Sequence, residues 1–158
     1  MTDTASQHYR NQELMTASPA RLVVMLYDRA IQSLNQAIKA IDDGDIERRW
    51  KANRNASEII THLAMTLNFE EGGQIAANLN DLYRFMLTTL INVDVRNDPQ
   101  PARDVIKLIE PLRASWDQLA KSADSGQLPA KPAGQAGNVA APGDNDAPPT
   151  RRGVAISA

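Results

Sequence analysis

The densest apolar run in the chain, Leu22-Val23-Val24-Met25-Leu26-Tyr27, begins just after a strong helix-starting pair. The Ser18 hydroxyl can accept an orphan backbone N–H of a first turn. Pro19 then suits the first helical position, where its missing N–H costs nothing. The apolar spacing predicts a helix from Pro19 to about Asp42, with a core stripe of Val23, Leu26, Ala30, Leu34, Ala37 and Ile41 and Tyr27 beside it. Val24, Ile31 and Ile38 form a second line at sevenfold spacing on one edge, and Met25 points away from both. An amphipathic surface helix needs an apolar face only about 100° wide. The surplus here has two readings: contact with a second neighbour in a bundle, or the wall of a partner groove.

The pattern repeats three times. Gly44 suits a helix end and Asp45 an N-cap. A second helix is predicted to about Asn68 on Ala52, Ala56, Ile59, Ile60, Leu63 and Leu67. Trp50 and Met65 lie off that stripe, beside the small residues Ser57, Thr61 and Ala64. They read either as a shallow trough for another helix or, for Trp50, as a cap on the bundle end. After Glu70-Glu71-Gly72-Gly73 a third helix is predicted from about Gln74 to Asn92 on Ile75, Leu79, Leu82, Tyr83, Met86, Leu90 and Val93, leaving Phe85, Leu87 and Ile91 outside. Asn97, Asp98, Pro99 and Pro101 force a loop and a new start. The fourth helix, about Ala102 to Ala123, uses Val105, Leu108, Ile109, Leu112, Trp116 and Leu119. Pro111 inside it removes the hydrogen bond to the Lys107 carbonyl and predicts a bend rather than an end.

The two ends of the chain differ from this middle. Residues 1–15 are mostly polar, without periodicity, and Tyr9, Leu14 and Met15 are their apolar exceptions. They read as a loose terminus or as a strap across a groove. Residues 126–158 hold five Pro, five Gly and eight Ala with no apolar period. Such a segment cannot bury enough to offset its chain entropy and is expected to be disordered. Short connections between helices of about 20 residues imply antiparallel neighbours. The fold expected is all-α, an antiparallel four-helix bundle over residues 16–125, with an N-terminal arm (1–15) and a disordered C-terminal tail (126–158).

Composition narrows the chemistry. A net charge of -2 gives no electrostatic reason to expect nucleic acid or an anionic membrane surface. No apolar run approaches the ~20 residues of a membrane span, and the N-terminus lacks a basic start followed by an apolar stretch. No membrane insertion and a cytoplasmic location are expected. With no cysteine, thiolate chemistry is out. The two histidines, His8 and His62, are too few for the paired Glu-x-x-His motifs of a di-metal bundle. His62 as a phosphoacceptor lacks the basic and small residues expected downstream, since Leu63, Ala64, Met65 and Thr66 follow. No phosphate loop, dinucleotide fingerprint or nucleophile signature is present. No catalytic residue, metal site or cofactor is assigned, and the chain is not expected to be an enzyme. Apolar surface beyond the needs of a core points instead to protein recognition.

The order Tyr9, Leu14, Thr16-Ala17-Ser18-Pro19, then Leu22-Val23, Met25-Leu26-Tyr27-Asp28 and Ala30-Ile31 closely resembles the flagellin-export chaperone family of bacterial flagellar assembly. The resemblance continues through Lys51-Ala52, Ile59-Ile60, Leu63, Gly72-Gly73, Ala77, Leu79, Leu82-Tyr83, Met86 and Asn97-Asp98 to Leu112-Arg113-Ala114 and Trp116, about residues 9 to 120. It implies a four-helix bundle that binds the disordered C-terminal segment of flagellin, prevents premature polymerisation and aids delivery to the flagellar type III secretion gate. Tyr9 matches the family's arm tyrosine, which is associated with the groove and with docking to the export machinery. Arg29 stands where the family often has glycine, and the tail lies outside the common core.

The partner-binding residues expected are Tyr9, Leu14, Val24, Met25, Ile31, Ile38, Trp50, Met65, Leu87 and Ile91. Their partners would be the flagellin C-terminal segment and a component of the export gate. Two rivals belong to other classes: a structural bundle that homodimerises through the same surface, and a histidine phosphotransfer module using His62.

Overall fold

The computed structural model describes residues 3–126; of the side chains of Asp3, Glu13 and Leu14 nothing is said. Among the described residues the chain is all-α: α1 (Asp3–Thr16), α2 (Pro19–Asp42), α3 (Ile46–Met65), α4 (Phe69–Arg96) and α5 (Gln100–Asp124). The expected disordered tail lies outside them, apart from Gly126.

The caps follow the sequence. Ser18 Oγ accepts from the Arg21 amide at 3.3 Å, and Asp45 Oδ1 from the Arg48 amide at 2.9 Å. Asn68 Oδ1 accepts from the amides of Glu70 and Glu71. Gly44 at φ 70° and Asn97 at φ 51° close α2 and α4 in the left-handed region, where glycine and asparagine are the least penalised residues. Pro99 offers α5 no side-chain cap, and Asp98 Oδ1 takes the Gln100 amide instead, at 2.9 Å.

Three expectations change. Residues 3–16 are helical, so the arm is a fifth helix, and all its described side chains are exposed. The break expected at 70–73 lies earlier, at residues 66–68: α3 ends at Met65 rather than near Asn68, α4 already starts at Phe69, and within α4 only Gly73 (φ 47°, ψ -127°) leaves helical geometry. The turn that restarts after it brings Ala76 to full burial, while Ile75, expected in the core, is half exposed. α4 also runs on to Arg96, past the expected end at Asn92. α5 continues through Pro111, which is exposed.

α2 packs on α3 and α5, and α4 packs on α3 and α5, so the four long helices close a ring of sequential neighbours. The core holds Leu34, Ala56, Ile60, Leu63, Met86, Leu90, Val105, Ile109 and Trp116. At its centre the hydroxyls of Tyr27 and Tyr83, both fully buried, lie 2.5 Å apart and join the diagonal pair α2 and α4.

Charged ties seal the α2–α5 seam. Arg21 donates to Asp117 at 2.8 Å and to Asp124 at 3.3 Å, and Arg113 donates to both oxygens of Asp28. Hydrogen bonds from Lys121, and secondly from Arg21, hold the Asp117 carboxyl below its usual value. A lowered carboxyl contributes stability that is present above about pH 4 and is lost as pH falls through the lowered value. We expect Arg21→Gln to move the Asp117 titration midpoint upward in a carbon-detected NMR pH series. An unmoved midpoint would show that the α2–α5 tie is not populated in solution.

Candidate functional site

The expected partner residues do not form one groove; they are spread over several faces of the bundle. Trp50, Leu87 and Ile91 share the mouth of the α3–α4 seam. The register there is set by polar contacts: Asn53 Nδ2 donates to the Leu90 carbonyl at 3.0 Å and to Asp94 at 2.7 Å, and Arg49 donates to Asp94 at 3.1 Å and to Asn97. At 100° per residue, Trp50 turns outward past Asn53, and Ile91 outward past Leu90 and Asp94, to the same side. Trp50 is 46% exposed with the Arg54 guanidinium 5.2 Å from its ring centroid, and Ile91 is 59% exposed. Leu87 is half-buried against the core. Sequence reasoning missed two exposed apolar residues on the same two helices, Ile46 on α3 and Val95 on α4. Val95 was hidden because α4 was expected to stop before it; Ile46 is the first residue of α3, where periodicity has little reach.

Met65 is 80% exposed at the end of α3, next to the exposed Phe69 that begins α4. Phe85 and Ile75 on α4 are also exposed.

On α2 the residues separate. Val24 is 2% exposed and belongs to the core, which corrects its placement off the core stripe. Val23 and Leu26, expected in the stripe, are only half-buried. The buried face of α2 also takes in the small residues Ala20, Ser33 and Ala40, none of them in the expected stripe. Asn55 donates to Ser33 Oγ at 2.6 Å. Ile31 and Ile38 are half-buried against the core, toward α5. Met25 is half-buried and lines a cleft.

That cleft, of about 780 Å³, lies between α1, the outer face of α2 and the end of α3. Its apolar floor is Leu22, Met25 and Leu26; Gln7, Arg10 and Asn11 come from α1, Asp28, Arg29 and Gln32 from α2, and His62 from α3. A shallower depression past Ile31 shares Asp28 and Gln32 with it, so the two run on along α2. Tyr9 is 75% exposed on α1, and Leu14 is one of the residues whose side chain is not described. We expect removal of residues 1–16 to leave the thermal midpoint within a few degrees of the full chain, because α1 buries none of its described side chains. A large drop would make α1 part of the folding unit.

Glu58, four residues before His62, is taken by Arg54 at 2.9 Å. Among the described residues no group of three or more His, Cys, Asp or Glu could hold a metal ion, and no helix is long and apolar enough to cross a membrane.

A family model described as flagellar protein FliS matches residues 1–123. The flagellar secretion chaperone FliS of Vibrio cholerae is 38% identical over 109 residues, covering 69% of this chain and 80% of the relative. The protein of the same name from Salmonella typhimurium is 35% identical over 111 residues, 70% of this chain and 82% of the relative. That of Bacillus subtilis is 28% identical over 114 residues, 72% and 84%.

Proposed function

Because the chain belongs to the FliS family of flagellar proteins, we propose that it is a flagellar secretion chaperone that binds the C-terminal segment of flagellin in the bacterial cytosol. It keeps that segment from polymerising early and helps bring it to the type III export gate.

The observation that carries this reading is the distribution of exposed large apolar side chains. Trp50 and Ile91 at the α3–α4 seam, Ile46 and Val95 elsewhere on α3 and α4, Met65 at the end of α3, Phe69 at the start of α4, and Phe85, six residues before Ile91 and so on another face of α4, are all open to solvent. A single patch would suit a globular partner or a second copy. Patches on several faces suit a chain that wraps, laying apolar helical turns into successive seams. A disordered client fits the energetics too. Ordering it consumes about 2–5 kcal/mol of the gross interaction, so a large wrapped surface yields an affinity that allows release. Met25 and Met65 add side chains that adapt to irregular partner surfaces.

The test is a flagellin polymerisation assay. Equimolar protein should suppress filament growth from monomeric flagellin, and flagellin lacking its C-terminal segment should not co-elute with it. Unhindered growth together with concentration-dependent self-association would favour the homodimeric bundle instead.

A further inference from the structure

We propose that the cleft between α1, α2 and α3 selects for acidic residues flanking the apolar face of a client helix. The proposal rests on the chaperone reading and adds to it a recognition chemistry.

Three observations carry it. First, Arg10 and Arg29 both line the cleft, one from α1 and one from α2, and neither makes an ion pair or hydrogen bond among the described residues. Five arginines of the bundle are engaged, Arg21 by Asp117 and Asp124, Arg48 by Asp43, Arg49 by Asp94, Arg54 by Glu58 and Arg113 by Asp28. Arg84, Arg96 and Arg103 also make no ion pair among the described residues, but none of them lines the cleft, so only Arg10 and Arg29 bring free guanidinium groups to it. Second, the one acidic residue lining the cleft is already taken. Asp28 accepts two hydrogen bonds from Arg113, at 2.6 and 3.3 Å. The cleft is therefore a locally basic site on a chain whose net charge is -2. Third, its floor is apolar, with Leu22, Met25 and Leu26 spaced three and four apart along one helix.

This combination chooses among occupants. A small inorganic anion would meet the guanidinium groups but leave the apolar floor in water. A purely apolar helix would cover the floor but draw two guanidinium groups out of water without partners, which is costly. An amphipathic helix with carboxylates beside its apolar stripe satisfies both, and arginine's fork donates two parallel hydrogen bonds to a carboxylate.

Three synthetic peptides, each roughly 18 residues long so that a helix can persist, would share one Leu/Ala face and differ only in flanking residues: Glu, Gln or Lys. By fluorescence anisotropy in low salt, the Glu peptide should bind about tenfold tighter than the Gln peptide, with the Lys peptide weakest. The preference should shrink to about threefold or less at molar salt, where screening acts within ~3 Å. In the Arg10→Gln, Arg29→Gln variant the Glu and Gln peptides should bind alike, at the affinity of the Gln peptide for the unaltered chain. The flagellin C-terminal segment should displace the Glu peptide. Equal binding of Glu and Gln peptides, a preference that survives in the double variant, or no binding by any of the three overturns the proposal. If the flagellin segment binds but the charge preference is absent, only this inference falls. If the flagellin segment does not bind at all, the chaperone reading falls with it.

Discussion

Replacing Trp50 and Ile91 together by aspartate should weaken binding of the flagellin C-terminal segment by about two orders of magnitude while leaving the helical circular dichroism in place. Buried aromatic and large aliphatic anchors commonly contribute about 2 kcal/mol or more each to an interface, and every ~1.4 kcal/mol is tenfold. Aspartate does more than delete the anchor, because its carboxylate would have to be desolvated against the client. The cost to the fold is small by comparison. Trp50 and Ile91 are 46% and 59% exposed, and the principal losses are helix propensity and the Arg54–Trp50 contact. Together these come to about 2 kcal/mol or less. Calorimetry for affinity and thermal melts for the fold separate the outcomes. Undiminished affinity would remove the α3–α4 seam from the client surface, and a collapsed fold would mark both residues as core. Ile31→Asp with Ile38→Asp is a blunter version of this experiment, because both side chains pack half-buried against the core.

The second large effect lies at the centre of the bundle. Tyr27→Ala should destabilise the fold by about 3–5 kcal/mol, as large aromatic truncations in cores do. That is a large share of the roughly 5–15 kcal/mol available to a domain. Tyr83→Phe is subtler. It leaves the buried Tyr27 hydroxyl without its 2.5 Å partner, at about 1–3 kcal/mol. Tyr27→Phe with Tyr83→Phe should cost less than the sum of the two single changes, since removing both members of a buried pair strands neither. Denaturant melts of the four proteins give the coupling directly, and strict additivity would mean that the two hydroxyls do not interact. The same pair brings alkali sensitivity. Burial first, and then Tyr83, push the Tyr27 phenol well above its ordinary value. A raised value means stability is fully present below about pH 10 and drains as pH rises beyond it. Tyrosinate absorbance from Tyr27 should therefore grow in step with alkaline unfolding.

Much of this fold is legible in the sequence because its punctuation is strong. Ser18-Pro19 and Asp45 sit where the helices begin, and Gly44 and Asn97 take the left-handed conformations their residue types suit. The stripe of α3 is also legible, since Ala52, Ala56, Ile59, Ile60 and Leu63 are all buried, as is Leu67 just past the helix end. What was not legible has a physical reason in each case. α1 carries no apolar period, so nothing in its pattern distinguishes a helix from a loose arm. α2 has apolar residues on most of its circumference, so the pattern could not choose between Val23 and Val24. In the fold Val24 is buried and Val23 is half-buried. Ile75 is lost from the core through the one non-helical residue, Gly73. For the candidate site, exposure of Trp50, Met65 and Ile91 agrees with their off-stripe positions. The basic character of the cleft could not be read from sequence, because it depends on α1 folding beside α2 and on Arg113 taking Asp28 from another helix.

The central claim is that the exposed apolar seams receive a disordered flagellin segment that orders as it binds. Isothermal titration of the full chain with the C-terminal segment of flagellin, repeated across temperature, tests it most directly. We expect one segment per chain and a large negative heat-capacity change, of the size that accompanies burial of about 1,000–3,000 Å² with coupled folding. No binding heat at any temperature, alongside a molecular mass that rises with protein concentration, would contradict it.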